Sequence, residues 1–178
     1  MENLLRRIRA GEIPADPVIV ISNKPGVKAL DRAKEFGVPS TVISHKDYAT
    51  RELFDEALAK RIDSHKIDYV VLAGFMRVLT PDFVRKYDGR LINIHPALLP
   101  AFPGAHAIKD AWDAKVKETG VTVHFVDSGV DTGPIILQKK VSVLPGDTLE
   151  TLEARIHQLE YEIYPEALKL ILAGKTKT

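Results

Sequence analysis

Short apolar runs alternate with longer stretches of helical spacing over most of the chain. Residues 1–10 (MENLLRRIRA) read as an amphipathic helix ended by Gly11. Residues 17–22 (PVIVIS) are a short β-branched run, the pattern of a buried strand. Residues 26–36 return to helical spacing and stop at Gly37. Residues 41–44 suggest another strand, 48–64 a long charged helix, and 68–73 (DYVVLA) a further buried strand. A helix near 81–87 and a clear strand at 91–94 (LINI) follow.

This alternation predicts an α/β fold: a doubly wound, mostly parallel sheet flanked by helices. The rhythm then changes. Residues 120–127 (GVTVHFVD) and 134–143 (PIILQKKVSV) read as an antiparallel strand pair near the C-terminal end, joined by a short Gly/Asp turn. Residues 148–172 close the chain as one long helix. A doubly wound domain usually opens with a strand and a glycine-containing turn that meets phosphate. Here the first element is a helix, so either that first unit is missing or the fold starts differently.

The 178 residues suit one domain, 1–178, with a single substantial core. The mix of 45% apolar and 28% charged residues is that of a soluble globular protein. A net charge of +1 gives no electrostatic case for nucleic acid or an anionic membrane. No apolar run approaches the roughly 18 residues of a spanning helix, and no signal-like segment opens the chain. The expectation is a cytoplasmic protein with small-molecule ligands. The absence of cysteine excludes disulfides, thiolate metal sites and a cysteine nucleophile. No histidine pair has metal-ligand spacing and no G-x-S-x-G elbow is present, so no metal is expected.

Ligands of such sheets bind outside the carboxyl ends of parallel strands. Two segments fall there: residues 73–79 and residues 93–100. Alternation along the LINI strand puts Asn93 and His95 on one side. Imidazole can exchange protons near neutral pH, and an amide N–H can meet a developing oxyanion. Acyl transfer to an amine needs both functions. The same two residues could equally just tie down a strand-to-loop junction. The run LLPAFPG (98–104) would make a wall for a flat ligand, or a packed surface loop. Residues 126–134 carry Asp127 and Asp131 in a glycine-rich turn. They suit a plain hairpin turn, or an acid that reaches His95 so that its cationic form can donate a proton. Among the other histidines, His45 and His65 look solvated, His106 could line the pocket, and His124 could be core or edge.

The motif Asn93-Ile94-His95-Pro96-Ala97-Leu98-Leu99-Pro100, followed by Phe102-Pro103-Gly104-Ala105-His106, resembles the signature of the phosphoribosylglycinamide formyltransferase family. The stretch from Gly120 to Pro134 resembles it too, and the two motifs stand in the family's order. The resemblance spans residues 3–174. It implies transfer of a formyl group from 10-formyltetrahydrofolate to the amine of glycinamide ribonucleotide, with no metal, by a monomer or homodimer. It assigns Asn93 to the oxyanion, His95 to general acid catalysis and Asp131 to supporting the His95 cation. It places Arg51, Met76, Arg77, Val78, Leu79 and Asn93 against the folate, with Val126, Asp127, Ser128, Gly129 and Val130 closing over the pterin. It places Pro96, His157 and Glu160 against the ribonucleotide. Two departures accompany it. The family's opening strand and Gly-Ser-Asn phosphate turn are lacking ahead of Met1, and Ile108 stands where many relatives carry a histidine. Methionyl-tRNA and sugar-nucleotide formyltransferases and formyltetrahydrofolate hydrolase share the Asn–His–Asp trio but are longer or carry extra domains. A competing class is a non-catalytic folate-binding module without the phosphate turn.

Overall fold

The structure, a computed structural model, describes residues 1–174. Among the described residues six α-helices flank the strands, beside one 3-10 turn (His45–Asp47): α1 (Glu2–Arg9), α2 (Lys28–Glu35), α3 (Arg51–Asp63), α4 (Pro81–Lys86), α5 (Ala107–Asp113) and α6 (Leu149–Leu172). One sheet pairs β1 (Val20–Ser22) with β2 (Ser40–Val42) in parallel. A second sheet has the order β3-β4-β5-β6. In it β3 (Val70–Val71) runs parallel to β4 (Leu91–His95), while β5 (Glu118–Phe125) runs antiparallel to both β4 and β6 (Ile135–Ser142). The α/β class, the parallel pairs between helices and the antiparallel pair near the C-terminal end match the sequence pattern.

Helix starts follow local chemistry. Thr50 and Thr80 accept the backbone N–H of Leu53 and Phe83, capping α3 and α4, and Pro81 opens α4 where no N–H is needed. Thr148 and Thr151 cap α6 reciprocally. Three features depart from the sequence pattern. The runs at 17–22 and 68–73, expected as buried strands, form ladders of only three and two residues and stay partly exposed, Val71 to 36%. Residues 107–113 form α5, which the pattern did not announce. It is a seven-residue helix whose N-cap, His106, makes no side-chain capping bond.

The second sheet explains where the site lies. Period-two alternation turns Ile92 and Ile94 of β4 and Val121 and Val123 of β5 to one face. There Ile92, Val121 and Val123 are buried with Leu152, Ile156, Ile163 and Leu168 of α6, and Ile94 packs against the cluster. Each fully buried aliphatic side chain contributes about 1.5–3 kcal/mol. The buried Tyr164 hydroxyl of α6 donates to the carbonyls of Leu72 at 2.6 Å and Ile92 at 3.3 Å. Burial pushes its ionisation well above the ordinary phenol range, so it stays a donor. A second cluster packs Phe54, Leu58 and Ile62 of α3 against Phe83 and Val84 of α4, with Phe75, Leu79 and Val126 around it. The alternation leaves Asn93, His95, Thr122 and His124 together on the opposite face from α6. Among the described residues, no helix is long and apolar enough to cross a membrane.

Candidate active site

Strand register assembles four polar side chains. Asn93 stands opposite His124, and His95 opposite Thr122. The pairing with β6 shifts register between Val123 and His124, a bulge of the kind that re-aims side chains near sites. His95 is 4% exposed, and His124 and Thr122 are 1% and 0%. Polar groups this deep need partners.

Thr122 is a hub for the loop after β4. Its hydroxyl donates to the Ala97 carbonyl at 2.7 Å and accepts the Leu99 N–H at 3.1 Å. Gln138 of β6 donates to that hydroxyl at 2.7 Å and to the Leu99 carbonyl at 3.0 Å. The loop so pinned leads to Phe102, whose φ of 55° is left-handed. The Phe102 carbonyl lies 2.8 Å from His95 Nε2, and the Gly104 N–H donates to Asp131 Oδ2 at 2.8 Å. The 102–104 segment therefore grips both members of the expected acid–base pair.

Asp131 also sits in the left-handed region, at φ 56°. Its Oδ2 is 3.4 Å from His95 Nδ1 and its Oδ1 is 3.6 Å from His124 Nε2. The His124 ring nitrogen holds the Asp131 carboxyl below the ordinary carboxylate range, helped by the Gly104 amide and the charge of His95, while burial opposes them. Asn93 Nδ2 is 3.4 Å from the same His124 Nε2, and His124 Nδ1 is 2.8 Å from the Phe125 carbonyl. The structure thus brings Asn93, His95 and Asp131 together, and adds two residues the sequence did not single out for the site, His124 and Thr122. Alternation along β5 puts that pair on one face, but only the β4–β5 register shows that they face Asn93 and His95.

The other expected residues fall into separate groups. Met76 and Val78 are 74% and 58% exposed, whereas Leu79 is buried. The Arg77 guanidinium lies 5.4 Å from the centre of the Phe54 ring, and its Nε is buried without a partner. The Val126 N–H donates to Leu91 O at 2.8 Å, bringing the 126–131 loop beside the 75–79 segment. Asp127 Oδ1 accepts from the Gly129 N–H and the Thr132 hydroxyl, the hairpin-turn role its spacing allowed, while Ser128 and Val130 are exposed. Arg51 begins α3, 4.0 Å from Glu52. His157 and Glu160 pair with each other at 2.8 Å on α6, and half-buried Pro96 follows His95. Among the described residues, no hydrogen bond or ion pair joins Arg51, His157 or Glu160 to the Asn93–His95–Asp131 group. No metal-holding group of three His, Asp or Glu side chains occurs among the described residues.

Residues 1–168 match the formyl transferase family. The chain is 53% identical to the trifunctional purine biosynthetic protein adenosine-3 of Drosophila melanogaster over 94% of its own length, but spans only 12% of that protein. It is 41% identical to the phosphoribosylglycinamide formyltransferase of Bacillus subtilis, covering 96% of this chain and 88% of that one. The crystal structure of the phosphoribosylglycinamide formyltransferase from Bacillus halodurans superposes with a TM-score of 0.93 at 44% identity, over 96% of this chain and 88% of the other.

Proposed function

Because this chain belongs to the formyl transferase family, we propose that it moves the formyl group of 10-formyltetrahydrofolate onto the amine of glycinamide ribonucleotide, a step of purine biosynthesis. The observation that carries this reading is the convergence of amide, imidazole and carboxylate at Asn93, His95 and Asp131. The names of the relatives supply the substrates.

The surroundings fit a folate. Exposed apolar Met76, Val78 and Val130 offer walls for a flat ring, and the side chain of Arg51 is partly open to solvent for an anionic tail. Bound there, the folate supplies an electrophilic formyl carbon and a nitrogen leaving group. In this reading the chain's own residues do the rest. Asn93 directs an amide N–H at the carbonyl oxygen as negative charge builds, and the His95 cation adds its field. The Asp131 carboxylate supports that cation through the 3.4 Å contact. With Nε2 committed to the Phe102 carbonyl, Nδ1 is the nitrogen of His95 left to exchange a proton, on the side of Asp131. The proton lost by the attacking amine must reach the departing folate nitrogen, and His95 with Asp131 is the route proposed. His95 is only 4% exposed, so its proton exchange is shielded from bulk water. Leu79 and the 126–130 loop complete the folate side, and Pro96, His157 and Glu160 are assigned to the ribonucleotide. No metal takes part. The protein acts in the cytoplasm as a monomer or homodimer, with residues 1–178 as one domain.

Steady-state assay with both substrates tests the proposal. Turnover that depends on both supports it. Folate binding without transfer would identify a binding module instead.

A further inference from the structure

We propose that His124 is a positioning residue, whose Nε2 accepts one N–H of the Asn93 side-chain amide and so fixes the other N–H toward the reacting oxygen. This rests on the reading of Asn93 as oxyanion donor. His124 is buried on β5 directly across from Asn93 on β4, next to the bulge. Its Nδ1 is 2.8 Å from the Phe125 carbonyl, which can only accept, so Nδ1 carries the ring proton. In the neutral ring Nε2 is then a bare lone pair, 3.4 Å from Asn93 Nδ2, and it is the protonated ring whose Nε2–H stabilises the Asp131 carboxylate. No other hydrogen bond to the Asn93 side chain occurs among the described residues. An amide whose N–H is held cannot turn to offer its carbonyl oxygen, which would repel an oxyanion rather than stabilise it.

Protonation reverses the interaction. A cationic His124 has a hydrogen on both nitrogens, so Nε2 no longer accepts from Asn93 and instead donates toward Asp131 Oδ1, 3.6 Å away. The charged and titratable groups around it are Asp131 and, across that carboxylate, His95. Asn93 and the Phe125 carbonyl are neutral, as is Ile135, its partner on β6. The cation exchanges Asn93 for Asp131, releases the oxyanion donor and slows turnover in acid.

The test measures kcat and KM across about pH 5–8 for His124→Phe, His124→Gln, Asn93→Ala and the double variant His124→Phe with Asn93→Ala. His124→Phe should lower kcat about tenfold or more, part of the roughly hundredfold that loss of an oxyanion donor costs, with folate KM nearly unchanged. The glutamine Oε1 accepts from Asn93 at any pH, so His124→Gln should recover most of kcat and flatten the acid-side fall. The double variant should be no slower than Asn93→Ala alone, because His124 acts through Asn93. Full kcat in His124→Phe, losses that multiply in the double variant, or an unchanged acid limb in His124→Gln would each overturn the inference. If the phenylalanine variant does not fold, the acid limb of His124→Gln decides. A native protein that transfers no formyl group would sink the functional reading itself. Transfer that Asn93→Ala does not slow would sink the oxyanion role, and this inference with it.

Discussion

Replacing Asp131 with Asn isolates one charge. The residue sits at φ 56°, a left-handed conformation that Asn tolerates better than most residues, so the backbone has no reason to move. The new amide oxygen can go on accepting the Gly104 N–H. What disappears is the negative charge 3.4 Å from His95 Nδ1. At an effective dielectric of about 20, opposite charges at that separation interact by about 5 kcal/mol. The retained amide dipole and local relaxation offset about half of this. A loss of about 2–3 kcal/mol in the transition state lowers kcat roughly 30- to 150-fold. Folate affinity should barely change, since the exposed apolar walls and Arg51 are untouched. Steady-state formyl transfer and a fluorescence titration of folate read the two quantities separately. The substitution should also act on stability. The carboxyl is held below its ordinary range, so its contribution is present above the unfolded value of about 3.9 and is lost as pH falls through the lower folded value. Urea midpoints of the native protein and Asp131→Asn should differ at neutral pH and converge in acid. Equal losses of folate affinity and turnover would make Asp131 structural, and undiminished turnover would refute the use of its charge.

Three further substitutions probe the scaffold. Thr122→Val removes the hub that serves Ala97, Leu99 and Gln138, and should cost about 2–4 kcal/mol in urea denaturation, while Thr122→Ser should cost much less. Tyr164→Phe leaves the Leu72 and Ile92 carbonyls without that donor and should lower stability by about 1–2 kcal/mol, with kcat retained. A Cβ at Gly133 would lie 1.9 Å from the Phe125 carbonyl oxygen. Gly133→Ala should therefore displace the 126–131 loop and weaken folate binding sharply, with far-ultraviolet circular dichroism preserved.

Asn93 and His95 were legible because one strand carries both, and a period of two fixes their common side from sequence alone. Asp131 was legible only as one of two acids in a turn. The backbone had to be folded to show that Asp127 bonds its own loop while Asp131 reaches across to Gly104, His95 and His124. The sequence leaves His124 open between core and edge, since its meaning depends on which residue faces it across a ladder. The LLPAFPG run read as a wall or a surface loop; in the fold its Phe102 carbonyl and Gly104 amide hold the acid–base pair. The strand at 68–73 reads as longer and deeper than it is: only Val70 and Val71 pair with β4 and Val71 is 36% exposed, because an apolar run does not tell how much of it a neighbour will cover.

Within the second sheet, β4 and β5 are the strands with a neighbour on both edges. Asn93, His95, Thr122 and His124 all stand on these two strands, whereas the 75–79 segment follows the edge strand β3 and the 126–131 segment leaves the end of β5. Amide hydrogens of the doubly laddered strands should be among the last to exchange with deuterium, and those of the two loops among the first. Such a molecule can breathe to admit and release its ligands many times over while the spacing of Asn93, His95 and His124 stays fixed.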